Sequence, residues 1–239
     1  MKLSGRLSAY LKPVTKETGR EVSIQYVPSL PVAGMRAAFQ LHPTKILIHL
    51  VRDLDPGDQQ TESSIAHEAA HGLLIYARGF CTAEPKRPLT DRESSALSIV
   101  ASMLDDIVVN RHLVDHGFSP LQGRYLDVMK RETKSAHRGD DYYAQFSQDP
   151  SFKRLFKAFR YILAWASLEF LDPSPRQHRA LRKFLKAFRK AYPDDHQEAA
   201  RVKRIILTND VFSPSGHRKA LSQLLALWEL DDLVDIRTH

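Results

Sequence analysis

Cysteine is almost absent: the chain of 239 residues carries one, Cys81. An internal disulfide framework is thereby excluded, and so is a thiolate-rich metal site, so any bound metal would have to be held by His, Asp or Glu. Long apolar runs are missing as well. No stretch approaches the roughly 20 residues needed to cross a bilayer, and the N-terminal "MKLSGRLSAYLKP" has neither the apolar centre nor the small-residue cleavage site of a secretory signal. The expected location is therefore the cytoplasm, whose reducing conditions suit a solitary thiol. Acidic residues are scarce in one region: between Phe152 and Lys190, eleven Lys and Arg are set against Glu169 and Asp172 alone. The excess behind the formal net charge of +7 thus sits in the C-terminal half. Its helices make nucleic acid a candidate partner.

What is present is a normal apolar content, 43%, enough for one sizeable domain or a domain with an appended lobe. The order of patterns predicts an α+β fold. "EVSIQYV", "RAAFQL" and "ILIHLV" read as short strands of a small N-terminal sheet, antiparallel or mixed, with "HPTK" as a tight turn before the last. After "RDLDPGD" the period changes: Ile65, Ala69, Leu73 and Tyr76 recur at helical spacing, and Gly79 is a stop signal. "FCTAEPKRPLT" reads as a proline-bearing loop. Thr90 can cap a second long helix, "DRESSALSIVASMLDDIVVNRHLVDH", that ends at Gly117. Amphipathic helices are then expected over 152–171, 176–192, around 195–207 and over 215–230. This divides the chain into residues 1–145, a sheet packed on two helices, and residues 146–239, a helical lobe packed on the first part.

Residues 61–72, "TESSIAHEAAHG", carry the candidate chemistry. On a helix, positions four apart share a face, so His67 and His71 can aim their imidazoles at one point with Glu68 beside it. Two neutral imidazoles leave a zinc ion net positive, which acidifies a bound water, and an adjacent carboxylate can take that proton. Ala69, Ala70 and Gly72 leave room for substrate and for close packing. An ordinary polar helix is the alternative, and this composition would produce the pattern by chance in about 2% of such chains.

A catalytic zinc needs a third protein ligand. On the downstream helix the carboxylates are Glu93, Asp105 and Asp106. At 100° per residue, Ser95, Ser98, Ser102, Asp106 and Val109 share a narrow arc, while Ala96, Val100, Met103, Leu104 and Ile107 form the apolar one. The helix carries no Lys, Arg, Glu or Gln from Ala96 to Leu104, so the serine arc suits close approach of another helix rather than water. Asp106 is favoured, with Asn110 one turn on as a supporting partner; Glu93 and Asp105 stay open.

"IAHEAAHGLL" followed by a carboxylate-bearing helix resembles the zincin superfamily of HExxH metallopeptidases, in the gluzincin-like layout whose third ligand comes from a downstream helix. "ASMLDDIVVNRHLVDHGF" is similar to a pattern in uncharacterised zincin-like proteins. "ESSALSIVASML" resembles, more faintly, the Glu-x-x-Ala helix of zincins acting in phage-repressor and DNA-damage responses, which would make Glu93 the ligand. The resemblance spans about residues 20–120. It implies a Zn2+ cofactor held by His67 and His71, Glu68 as general base, a peptide or protein substrate, and "KILIHLV" as a strand whose edge could bind that peptide.

Such peptidases place a donor at the developing oxyanion, for which His137, Tyr142 and Tyr143 are candidates beside their ordinary packing roles. Cys81, next to Phe80, reads as a packing residue more readily than as a thiolate on the metal. "KRLFKAFR" and "LRKFLKAFRK" interleave aromatics with cations. Either they contact phosphates, bases or lipids, or they are core helices with a solvated basic face. The competing function is a binding or regulatory protein that keeps a zincin-like metal site; a closed, structural zinc site is a third reading.

Overall fold

The computed structural model describes residues 3–30, 36–52, 54, 58–119 and 124–239. The fold is mixed α+β and mainly helical, with eight α-helices and sheets of three and two strands among the described residues. None of these helices is long and apolar enough to cross a membrane. Contacts divide the chain into two compact units, one of residues 1–79, 109–120 and His239, the other of residues 80–108 and 121–238.

The first unit opens with α1 (Gly5–Thr18), a helix not anticipated from the pattern because Pro13 interrupts it. Leu7, Tyr10, Leu11 and Val14 recur at the spacing of one helical face and are buried, Ser4 caps the start, and Gly19 ends it at φ 63°, where a side chain would be strained. The buried stripe outweighs the single backbone hydrogen bond that proline removes. Strands β1 (Glu21–Val27), β2 (Ala37–Gln40) and β3 (Lys45–Val51) form a mixed sheet in the order β1-β3-β2. β1 runs parallel to β3 and β2 antiparallel to it. β3 is central, with Ile46, Leu47, Ile48 and Leu50 buried. That corrects one expectation: hydrogen-bonded on both sides, "KILIHLV" has no free edge, and the edges belong to β1 and β2.

Helix α2 (Gln59–Ala77) packs its Ile65, Ala66, Ala69, Ala70 and Leu73 into the core. Asp58 caps it by accepting from the Thr61 N–H at 3.1 Å. A Cβ at Gly72 would stand 2.9 Å from two carbons of Ile46, so the missing side chain is what lets α2 approach β3 closely.

The second unit contains β4 (Cys81–Pro85), the first part of α3 (Asp91–Asp115), α4 (Arg124–Arg138), α5 (Pro150–Phe170), α6 (Pro175–Ala191), α7 (Pro193–Thr208), α8 (Pro214–Leu227) and β5 (Val234–Thr238). The stretch read as a proline-bearing loop is strand in its first half: β4 pairs antiparallel with β5 at the far end of the sequence. α3 starts as expected. The Glu93 N–H donates to the Thr90 hydroxyl while Glu93 accepts from the Thr90 N–H, a reciprocal cap. It ends at Gly117, φ 76°, with the Phe118 and Gly117 N–H groups closing on the Leu113 and Val114 carbonyls. α5 supplies the centre of this unit, burying every residue from Tyr161 to Ser167. Arg160 and Glu132 form a buried ion pair at 2.9 Å between α5 and α4.

Candidate metal centre

His67, Glu68 and His71 lie on α2, half-buried, on a face other than the one that Ile65, Ala66 and Ala69 press into the core. The two imidazoles meet: their Nε2 atoms are 3.2 Å apart. Two nitrogens each about 2.0–2.1 Å from one tetrahedral zinc stand about 3.3–3.4 Å apart, so this pair already has the separation one ion demands.

Strand β2 supports the motif. Val51 donates to the Arg36 carbonyl across the hairpin. In an antiparallel ladder that bonded pair fixes positions 38 and 40 as bonded to β3 and turns the N–H groups of 37 and 39 to the open edge. The Phe39 N–H donates there to Oε2 of Glu68 at 2.8 Å, and the Phe39 ring stacks on His71 with an interplanar angle of 10°. One edge residue thus steadies both a candidate ligand and the candidate base. No polar side-chain pattern could have pointed to Phe39, because it acts through its backbone.

Of the three carboxylates weighed for the third position, α3 brings one to the histidines. His67, His71 and Asp106 each offer a ligand atom within 4.8 Å of the others. α3 is one unbroken helix whose last part, from Val109, is counted in the first unit with α2, and Asp106 precedes that part by less than a turn. Asp105 points elsewhere, its Oδ1 2.8 Å from Nε2 of His217. Glu93 lies thirteen residues before Asp106, about 20 Å along the axis. It pairs with Arg87 at 2.7 Å, and that bond with the Thr90 N–H holds its carboxyl down at about 2. The serine arc is corrected in part. Ser95 and Ser98 are exposed, so the N-terminal end of the arc is a solvated face, whereas Ser102 and Asp106 are half-buried and Val109 is buried.

The side chains considered for an oxyanion have other surroundings. His137 directs Nδ1 to the Thr133 carbonyl at 2.6 Å, and Tyr143 is buried among Tyr142, Phe156 and Tyr192. Tyr125 on α4, which the sequence did not single out, is electrostatically linked to Asp106. Burial, first of all, and the carboxylates of Glu132 and Asp106 push its phenol up to about 12 against the pull of Arg160.

No family model matches the sequence, and no curated protein or solved structure does.

Behind Asp105 lies a second polar group of residues. His217 on α8 is buried, with Nδ1 3.5 Å from Cys81 Sγ, Nε2 on Asp105, and the Phe80 ring edge-on at 5.1 Å. Gly216 fixes its position, since a Cβ there would lie 2.0 Å from the Asp210 carbonyl oxygen. Cys81 is accordingly a packed, hydrogen-bonded thiol. Burial pulls the His217 imidazole down, but the hydrogen bonds to Asp105 and Cys81 outweigh it and hold the ring at about 9. A raised imidazole stabilises the fold fully below its unfolded value, about 6.5, and loses that contribution as pH climbs through the folded value. Thermal melting should therefore shift downward between pH 6.5 and 9, by an amount on the order of 3 kcal/mol at full extent. His217→Asn should flatten that slope, which melts across the same pH series would show; an equal slope in both proteins would detach it from His217.

Proposed function

We propose that the chain is a zinc-dependent hydrolase acting on peptides or proteins, with His67, His71 and Asp106 as metal ligands and Glu68 as general base. The observation that carries this reading is the convergence of two Nε2 atoms 3.2 Å apart and one carboxylate from the next helix, with Glu68 beside them. The donor set fits: two imidazoles and a carboxylate are ligands zinc accepts, and three of them leave the fourth position for chemistry. When bound there, zinc would supply a Lewis acid that polarises a carbonyl and makes water acidic near neutral pH.

The chain's own residues then have definite tasks. Oε2 of Glu68 is held by the Phe39 N–H, which orients the carboxylate so that Oε1 can take the proton of an attacking water and return it to the leaving amine. The Phe39 ring lies parallel to the His71 imidazole, with centroids 6.4 Å apart, and forms an apolar wall beside it. The likeness of "IAHEAAHGLL" to the zincin motif supports the peptide class of substrate, and the unpaired Cys81 agrees with a reducing, cytoplasmic setting. One observation favours a second reading. The Glu68–Phe39 bond also caps an open strand edge, a structural task that a regulatory protein with a retained metal site would need equally.

Metal analysis tests the site. The purified chain should hold close to one zinc, His67→Ala/His71→Ala should hold none, and Asp106→Ala should lose affinity far more than Asp105→Asn or Glu93→Ala. Full occupancy in the double histidine variant would end the proposal, and loss of zinc on Glu93→Ala alone would move the third ligand to the helix start.

A further inference from the structure

The basic excess is not spread evenly over the second unit. On α5, Lys153 pairs with Asp141, Lys157 with Asp195 and Arg160 with Glu132, each at 2.9 Å, so the charges of "KRLFKAFR" are largely compensated. α6 differs: it carries seven Lys and Arg and no acidic residue. Leu181, Phe184, Leu185 and Phe188 are buried, and the cations are on the opposite, exposed side. α4 packs against α6 and is similarly divided, with Glu132 buried and Asp127 its single exposed acid, tied to Lys130 at 2.7 Å.

Between these two helices runs a cleft of about 440 Å³ lined by Lys130, Thr133, Lys134 and His137 of α4 and Ala180 and Lys183 of α6. The α4 positions follow the i, i+3, i+4, i+7 spacing of one face. Ala180 leaves the opposite wall low enough for the cleft to exist. Lys130 and Lys134 are separated by about 6 Å along the helix axis, close to the axial rise of two nucleotides of one strand, about 6.8 Å.

We propose that this α4–α6 cleft binds the sugar–phosphate backbone of double-stranded nucleic acid without reading its bases. Charge complementarity selects the anion; what the face lacks selects the duplex. Binding of a single strand relies on aromatic rings that stack on bases, and the aromatics of α6, Phe184 and Phe188, are buried. A membrane surface would call for apolar side chains inserted beside the cations. The large hydrophobics exposed among the described residues, Tyr26, Leu41, Phe146, Leu207 and Phe212, lie on neither α4 nor α6. Lysines, whose ammonium groups act as point charges on phosphate, fit backbone contact rather than base recognition.

The test uses the full chain and a labelled DNA duplex of random sequence, about 25 base pairs long, titrated by fluorescence anisotropy from about 50 to about 200 mM salt. The parent should bind with a log–log salt slope of about −3 or steeper. Lys130→Glu/Lys134→Glu/Lys183→Glu should bind at least about tenfold more weakly, with a slope shallower by about 2 to 3, since each lost phosphate contact removes about 1 and Lys130 shares its charge with the exposed Asp127. Lys12→Glu/Lys16→Glu/Lys219→Glu changes the net charge equally at exposed positions that do not line the cleft and should leave binding within about threefold. Circular dichroism confirms that both variants remain folded. Equal weakening by the two triple variants would reduce the effect to net charge and overturn the site. Tighter binding to a single strand of the same length would also overturn it, as would binding to phosphatidylcholine–phosphatidylglycerol vesicles in place of the duplex.

Discussion

Glu68→Gln should leave the protein folded and loaded with zinc while its hydrolysis falls by about a hundredfold to ten-thousandfold, on the order of 3 to 5 kcal/mol of barrier. The amide keeps the size of the side chain, and its carbonyl oxygen can still accept the Phe39 N–H that Oε2 accepts in the parent at 2.8 Å. The strand edge therefore stays capped and His71 stays stacked on Phe39. What the amide cannot do is take a proton from water. This substitution separates the observed cap from the proposed role of Glu68 as base, because capping should survive it and base catalysis should not. Metal content, melting temperature and cleavage of an unstructured protein substrate, compared between parent and variant, read the three properties independently. Cleavage unchanged with zinc retained would remove Glu68 from the chemistry. Loss of zinc would recast it as part of the metal-holding structure. A zinc-loaded parent that cleaves nothing across a broad peptide library would favour the regulatory reading, in which the Glu68–Phe39 bond is simply a clasp.

The parts of the fold legible in the sequence are those encoded locally. The reciprocal Thr90–Glu93 cap and the Gly117 stop bracket α3 to within two residues, because both signals act within one turn of the helix they bound. The strands β1 and β3 stand out through their Val and Ile residues between turn formers, and β2 through a short apolar stretch. Contacts made across long sequence distances were not legible. β4 is only five residues long and is a strand because β5, some 150 positions later, pairs with it; no local pattern carries that information. The central place of β3 is of the same kind, since a parallel neighbour cannot be read from the strand itself. α1 was hidden by Pro13, whose local penalty is outweighed by burial of Leu7 and Val14.

The candidate site shows the same division. His67, Glu68 and His71 form a pattern within five residues, and a helical wheel is enough to put Asp106 and Glu93 on different arcs. The apposition of two helices that brings Asp106 within 4.8 Å of both histidines is tertiary. So is the fate of Asp105, the nearest alternative: a solitary histidine 112 positions away engages it, and nothing in "SGHRKALS" announces a buried ring. Tyr125 went unnoticed for that reason too, since a single tyrosine at the head of an amphipathic helix has no sequence mark of its link to Asp106.

Removing one partner of the buried pair between α4 and α5 should unfold the second unit more readily than any surface change. Glu132 is 2% exposed and Arg160 12% by side chain, and the pair is held at 2.9 Å by a single hydrogen bond from Nε. Burial pushes the Glu132 carboxyl above its ordinary range, outweighing the guanidinium beside it, so its charged form is held in the interior at a cost. Glu132→Ala takes away the counter-charge but leaves the guanidinium in place under the Tyr125 ring, 5.4 Å from its centroid, with no way to shed its proton. The expected loss is about 3 to 5 kcal/mol of unfolding free energy. Removing both charges should be far milder: Glu132→Leu/Arg160→Met fills similar volume without any buried ion and should fall within about 1 kcal/mol of the parent or exceed it. Urea denaturation of the parent, the single variants and the double variant closes the cycle, with a midpoint shift at constant slope reporting stability alone. If Glu132→Ala and the double variant lose the same amount, the cost lies in lost packing, and the ion pair contributes nothing of its own to holding α4 against α5.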